Sequence, residues 1–246
     1  MKVVAIIQAR CGSTRFPNKV FADICGKPLI WHVVNRLKFA ETIDEIVLAT
    51  TMNPLDNELY TWAVENGVHV FRGSEDNVLN RYFRAAVEFQ ADIIIRITAD
   101  DPFKEPLIID QAVYELKRTG ADFVCNNYPP SYPEGLDVEV FTYDALNMEE
   151  QNSLDTFERE HVTQYFYHHP LDFKMLNISY SENLSYLRWT IDTEKDFLMV
   201  KKIYNLLYKR DDEIFHMEDI LNLINNYPAI AQMNADVIRS EMYKSK

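Results

Sequence analysis

The chain has 246 residues, nearly half of them hydrophobic (47%), and a formal net charge of −13. That length fits one large α/β domain or a domain with a modest insertion, and the apolar content excludes a disordered chain. The acidic balance argues against a nucleic-acid polymer as partner, since binding one requires a basic surface.

The chain opens on a short run rich in β-branched residues, Val3-Val4-Ala5-Ile6-Ile7, which reads as a buried strand over 2–8. It breaks into Gln8-Ala9-Arg10-Cys11-Gly12-Ser13-Thr14-Arg15-Phe16-Pro17-Asn18-Lys19. Gly12 permits close backbone approach to a ligand, and successive loop N–H groups can form an anion nest. Arg10, Arg15 and Lys19 suit a polyphosphate, the arginines as planar forks and the lysine as a point charge. Neither a Walker A loop nor the Rossmann glycine fingerprint is present, so the segment reads as a nucleotide triphosphate loop or as an ordinary basic βα loop. Cys11, Cys25 and Cys125 show no paired spacing and no metal-ligand motif, so they read as free thiols of a reducing compartment. Cys11 sits where nearby cations could lower its pKa, but it reads as a spacer rather than a nucleophile.

Strand patterns follow at 45–50, 68–71, 92–98 and 122–126, alternating with helix patterns at 28–39, 55–66, 76–89 and 105–119. Pro28 and Pro106 fall at helix starts, and Gly67 and Gly120 at helix ends. This alternation implies a mainly parallel, doubly wound sheet covered on both faces, with ligands beyond the carboxyl ends of the strands. The first loop, the Arg72 loop and the Asp100 loop all begin at such ends. After Cys125 the rhythm changes to a Pro-rich aromatic loop, 126–135, and an alternating strand over 137–141. Helices at 143–152 and 156–168, strands near 174–179 and 187–191, and helices at 194–209, 216–225 and 228–241 complete the chain. The loop reads either as a connector or, through Tyr128, Tyr132 and Glu134, as a sugar-facing wall. No signal peptide is recognisable and no apolar run approaches the ~20 residues of a membrane span, so a cytoplasmic protein is expected.

Asp100 and Asp101 end a buried strand, where two carboxylates are costly unless paired with cations or metal. Asp192 ends an apolar stretch and reads equally as a metal ligand or as a helix N-cap, a task that Thr193 or Asp196 could also perform. Arg81 reads as a surface cation of an amphipathic helix or as a cation put to use by the loop that precedes it. Glu134, Asp137 and Glu139 bind sugar hydroxyls or are merely solvated alternation. The six histidines form no zinc constellation.

The pattern Gln-Ala-Arg-x-Gly-Ser-Thr-Arg-x-Pro-x-Lys resembles the sugar cytidylyltransferases. The likeness is closest to the branch named after spore coat polysaccharide biosynthesis protein F, related to CMP-Kdo synthetase and acylneuraminate cytidylyltransferase. It continues through Gly26-Lys27-Pro28, Arg72-Gly73-Ser74, Asn77-Val78-Leu79-Asn80-Arg81, Thr98-Ala99-Asp100-Asp101-Pro102, Glu134-Gly135-Leu136-Asp137, Arg159-Glu160-His161-Val162-Thr163 and Thr190-Ile191-Asp192. Ala99 departs from the usual Gly, and Phe16 and Asn18 from the commoner Leu and Gly; none of these removes a reacting group. The resemblance implies a single domain of the nucleotide-diphospho-sugar transferase (Rossmann-like) type with an inserted β/α segment. It divides into a nucleotide-binding half (1–125), an acceptor and dimer segment (126–170), and returning strands with C-terminal helices (171–246).

It further implies Mg²⁺-dependent transfer of CMP from CTP to an acidic sugar for surface polysaccharide or glycan synthesis. Asp100 and Asp192 would be the metal ligands, with Asp101 at a variable, solvent-facing position; Lys19, Arg10 and Asp100 would be catalytic. Gln8, Ala9, Arg10, Gly12, Ser13, Thr14, Arg15, Lys19, Arg72, Ser74 and Arg81 would bind the nucleotide. Tyr128, Glu134, Asp137, Glu139, Arg159 and His161 would line the acceptor side. A homodimer through 126–170 is expected, because adjacent aromatics such as Tyr165 and Phe166 cannot all face one small core. A sugar-1-phosphate nucleotidyltransferase would want extra cations on the acceptor side, where 134–141 is acidic. A non-catalytic nucleotide-binding module would be suggested by loss of Lys19, Asp100 or Asp192, and all three are present.

Overall fold

The structure, a computed structural model, describes residues 1–13 and 15–238. Its elements are β1 (Val3–Gln8), a short hairpin of β2 (Asp23–Ile24) and β3 (Lys27–Pro28), α1 (Leu29–Leu37), β4 (Glu45–Thr51), α2 (Asn57–Glu65), β5 (His69–Gly73), α3 (Val78–Glu88), β6 (Ile93–Thr98) and α4 (Pro106–Thr119). The second half carries β7 (Phe123–Cys125), β8 (Glu139–Thr142), α5 (Tyr143–Asn152), α6 (Thr156–His161), α7 (Gln164–His168), β9 (Met175–Asn177), α8 (Glu194–Leu207), α9 (Met217–Asn226) and α10 (Ala229–Gln232).

Seven strands form one sheet in the order β5-β4-β1-β6-β8-β7-β9. β1 pairs in parallel with both β4 and β6, β4 with β5, and β7 with β9, while β8 runs antiparallel between β6 and β7. The near-continuous apolar β1 is explained by burial on both sides: Val3, Ala5 and Ile7 pack in one core, Val4 and Ile6 in the other. No helix among the described residues is long and apolar enough to cross a membrane.

Three expectations change. The 187–191 run is not a strand; it makes a single bridge between Glu134 and Arg188. Gly135, at φ +102, passes so close that a Cβ there would meet the Trp189 carbonyl carbon at 2.8 Å. The 156–168 helix is broken at Val162, whose φ of 58 no helix tolerates, leaving α6 and α7 as separate short pieces. Of the 228–241 helix, α10 covers only Ala229–Gln232, and its last residues lie outside those described.

The aromatic argument for a subunit interface holds only in part. Tyr132, Phe141, Tyr165 and Phe166 are buried in the chain's own cores, while Tyr128 and Phe157 are exposed. Phe166 stacks on Phe123 (4.6 Å between centroids) while neighbouring Tyr165 stacks on His169 (4.0 Å), so a short helix wedged against the sheet buries two adjacent rings.

His32 on α1 is 2% exposed, contacts the Ile24 carbonyl through Nε2 at 2.7 Å, and lies 4.4 Å from the Tyr204 ring. Burial, with Arg36 nearby, outweighs that carbonyl and lowers its pKa from 6.5 to about 4. The unfolded chain therefore binds the extra proton between these values, and stability falls as pH drops from 6.5 toward 4. Chemical denaturation across this range should show a loss of up to about 3 kcal/mol that is absent in His32→Gln.

Candidate functional site

One cleft of about 720 Å³ opens beyond the carboxyl ends of β1 and β6 and beside the N-terminus of α3, closed on one side by α6. Its size is that of a small-molecule site, and its place is where parallel sheets bind ligands. Gln8, Ala9, Arg10, Gly12, Ser13, Arg15 and Lys19 line one end. Thr14, expected among them, lies outside the described residues.

The loop owes its shape to its own backbone and to Asp56. The Asn18 and Ser13 N–H groups donate to the Cys11 carbonyl (3.2 and 2.8 Å), and the Cys11 N–H donates to Asp56 Oδ1 (2.7 Å). The left-handed Asn18 (φ 55) then turns the chain so that Lys19 starts a 3₁₀ turn and points inward. Lys19 Nζ donates to Asp100 Oδ2 (2.8 Å), the Ile191 carbonyl (2.7 Å) and Asp192 Oδ1 (3.1 Å). Arg15 also reaches Asp192 Oδ1 at 3.0 Å, and Arg188 holds its other oxygen at 2.9 Å. Burial alone would raise the Asp100 carboxyl; the charge and hydrogen bond of Lys19 and a bond from Thr98 override it and hold Asp100 below the usual carboxylate range.

Asp192 is not the cap of α8. Thr193 and Asp196 form a capping box there, leaving Asp192 facing the cleft. Among the described residues no three His, Cys, Asp or Glu side chains form a metal cage. Mg²⁺ does not need one, because one or two carboxylates plus substrate phosphates suffice. Two carboxylates bridged by a single ammonium are a donor set that fits it, the ammonium standing where a cation would neutralise both.

Several expected residues lie elsewhere. Arg72 faces away from the cleft: it donates to the Thr51 carbonyl (2.7 Å), Asn57 Oδ1 (2.8 Å) and the Asn53 carbonyl (3.1 Å), fixing the β4–α2 connection. Ser74 accepts from the Asn77 N–H (3.0 Å), and its carbonyl accepts from Arg81. Arg81 is no surface cation; it is 3% exposed and lines the cleft. Asp101 is buried, bonded to Thr98 Oγ1 (2.6 Å) and paired with Lys104 (2.8 Å), rather than facing solvent.

The acidic acceptor wall does not exist as expected. Glu134 is buried against Arg188, Glu139 is buried against Arg96 (2.6 Å), and the Asp137 carbonyl accepts from Lys104. Tyr128 packs on Tyr167 outside the cleft. Of the acceptor-side residues expected, Arg159 and His161 do line the cavity, on α6 with Thr156 and Glu160. Arg96 was missed, although a lone arginine inside Ile93-Ile94-Ile95-Arg96-Ile97 is itself a signal, since a buried strand charge needs a partner or a use. Glu75, Asp76 and Asn77 at the α3 N-terminus complete the lining.

Cys11 behaves oppositely to a thiol activated by cations. Burial and then Asp56 push its pKa up to about 12. Iodoacetamide at pH 8 should leave Cys11 unmodified in the folded chain, as read by peptide mass, and Cys11→Ser should retain more than half of wild-type activity.

Comparison with known proteins agrees with this geometry. Residues 4–242 match the family described as Cytidylyltransferase. The chain is 30% identical to spore coat polysaccharide biosynthesis protein SpsF of Bacillus subtilis, over 95% of this chain and 99% of that protein. The solved structure of a cytidylyltransferase from Leptospira borgpetersenii superposes with a TM-score of 0.90 at 31% identity, covering 98% of this chain and 100% of that one. A CMP:2-keto-3-deoxy-manno-octonic acid synthetase complexed with CTP, 17% identical, shares the fold with a TM-score of 0.64 over 84% of this chain and 99% of its own. The sheet is thus the mainly parallel one of the nucleotide-diphospho-sugar transferase type. The chain belongs to the cytidylyltransferase family and is a nucleotidyltransferase.

Proposed function

We propose that the cleft binds CTP with an acidic sugar and transfers CMP to a sugar hydroxyl, releasing pyrophosphate. The observation that carries this reading is the convergence of Lys19, Asp100 and Asp192 beside the Arg10–Arg15 loop in one cleft. The names of the relatives support CTP as donor and a sugar as acceptor. Arg10, Arg15, Lys19 and the Gly12–Ser13 backbone bind the triphosphate, and Asn77 and Arg81 face the base. The acceptor hydroxyl attacks the α-phosphorus as the bond to pyrophosphate breaks, so the chain's work is positioning and charge neutralisation. Asp100 and Asp192 would hold Mg²⁺, which supplies charge neutralisation at the phosphates. Lys19 and Arg15, already beside those carboxylates, bind the departing pyrophosphate.

A second reading gains ground from the same structure. Glu134 and Glu139 are engaged by Arg188 and Arg96, while Arg96 and Arg159 line the cleft, so a sugar 1-phosphate is no longer disfavoured as acceptor.

Asp100→Asn should lower kcat at least 100-fold, about 2.7 kcal/mol of transition-state stabilisation, with a smaller loss of CTP affinity. Pyrophosphate release and calorimetric CTP binding measure the two; wild-type turnover in this variant would remove Asp100 from the reaction.

Arg81 predicts base choice. Its Nη1 is tied to the Ser74 carbonyl and its Nε has no acceptor among the described residues. A donor-only fork matches the adjacent N3 and O2 acceptors of cytosine, whereas uracil presents an N–H at that position. Wild type should prefer CTP to UTP by at least 100-fold in kcat/KM, and Arg81→Met should shrink that ratio at least tenfold. An unchanged ratio assigns base reading to other groups.

A further inference from the structure

The cleft divides by chemistry. The first loop and the Asp100–Asp192 pair form its phosphate end, and the α3 N-terminus its base side. Arg96 and Thr98 on the floor, with Thr156, Arg159, Glu160 and His161 from α6, remain for a third group. Resting on the reading of the cleft given above, we propose that Arg96 is the specificity-determining residue for the acceptor: its guanidinium receives the acceptor's anionic group, a carboxylate or a phosphate monoester, and Glu139 is its positioning residue.

Arg96 sits mid-strand on β6, among isoleucines, with its side chain 12% exposed. A cation there costs several kcal/mol in desolvation, and an apolar residue would fill the strand without that cost. Its Nη1 donates to Glu139 Oε2 at 2.6 Å. The same carboxylate accepts from Thr163 Oγ1 (3.0 Å), Tyr167 OH (2.7 Å) and Asn127 Nδ2 (3.4 Å). Glu139 is thereby fixed from two separate segments, the loop after β7 and α7 with its N-cap, and it fixes one end of the guanidinium.

The rest of the fork is not consumed. Arg96 Nε is buried and has no acceptor among the described residues. A planar guanidinium anchored at one nitrogen still offers donors to a second oxyanion, which is how bidentate carboxylate or phosphate recognition is built. A second guanidinium stands on the same wall: Arg159 bonds the Glu150 carbonyl at 3.2 Å and pairs with the Glu150 carboxylate at 3.4 Å. Burial pushes the His161 pKa down, Glu160 opposing and the Arg96 charge adding to the effect. Burial, with Glu139 and Glu158 nearby, pushes the pKa of the buried Glu149 up. Glu160 is the one carboxylate that lines this part of the cavity among the described residues. It bears on selectivity, because a neutral hydroxyl-rich ligand can satisfy it while the anion goes to Arg96.

The test is pyrophosphate release with CTP and two acceptor classes: ulosonic acids, including 3-deoxy-manno-octulosonate, and hexose 1-phosphates. Each is run beside its neutral counterpart, the methyl ester or the free hexose. Wild type should use one anionic class, with kcat/KM at least 30-fold above the neutral counterpart, and the active class identifies the anion. Arg96→Met should raise acceptor KM at least 30-fold with CTP KM within twofold, and Arg96→Lys should recover part of the loss. Because Arg96→Met strands a buried carboxylate, the double variant Arg96→Met/Glu139→Gln is measured alongside, with CTP binding as the check of folding. Tyr167→Phe, which keeps the ion pair but frees one corner of Glu139, should raise acceptor KM a few-fold without moving CTP KM. Equal use of anion and neutral counterpart, or an unchanged acceptor KM in the double variant, overturns the assignment. A rise in CTP KM alone gives Arg96 to the nucleotide and overturns it as well. Turnover with neither class refutes the transfer reading itself and this assignment with it.

Discussion

The ammonium of Lys19 is the junction on which the site depends. Three parts of the chain far apart in sequence meet on it: the first loop, the end of β6 through Asp100, and the irregular segment ending at Ile191 and Asp192. Two carboxylates this close would repel and resist burial, and a cation between them converts that repulsion into a tether. The arrangement also explains why 187–191 is not a strand. Its backbone is used instead to deliver carbonyls and Asp192: Trp189 N–H donates to the Glu134 carbonyl (2.7 Å) and Ile191 N–H to the Asp100 carbonyl (2.9 Å).

An acidic protein that handles anionic ligands must keep its carboxylates from opposing them. Here many of them are turned into internal counterions. Glu139 takes Arg96, Glu134 and Asp196 take Arg188, Asp101 takes Lys104, and Glu105 lies 3.9 Å from Arg36. Arg81 lines the cleft like Arg96 but, unlike these buried cations, has no ion pair among the described residues. Its stem runs against Gly73, where a Cβ would come within 3.0 Å of Arg81 Cγ, so the glycine makes room for the side chain.

Much of the fold was legible because it rests on local signals. The β-branched runs, Pro106 at a helix start and the alternation of short strands with helices state a parallel sheet, and β1, β4, β5 and β6 appear within a residue or two of where they read. The place of the first loop was also legible, since a cation-rich connection after the first strand lies beyond a carboxyl end, where the cleft opens. What failed was partner choice. Asp137 and Glu139 alternate as a solvent-facing strand would and Glu134 sits in the loop before them, but the partners of the glutamates, Arg188 and Arg96, come from distant segments and cannot be read from spacing. The break at Val162 and the loss of the 187–191 strand are tertiary decisions of the same kind.

The charge on Asp192 shows how far this logic reaches. Lys19, Arg15 and Arg188 all contact it, so it is over-neutralised while Asp100 has Lys19 alone as its ion-pair partner among the described residues. Arg188 is itself shared with Asp196, which is 0% exposed and accepts from Asn234 Nδ2 (2.8 Å) as well as closing the α8 capping box. The orientation of Asp192 is therefore set by the fold rather than by what occupies the cleft. Lys19 and Arg15 share one oxygen of Asp192, while Arg188 grips the other, so the carboxylate keeps its aim into the cleft beside Asp100. The physical source of that fixed aim is a buried arginine that sequence spacing alone does not reveal.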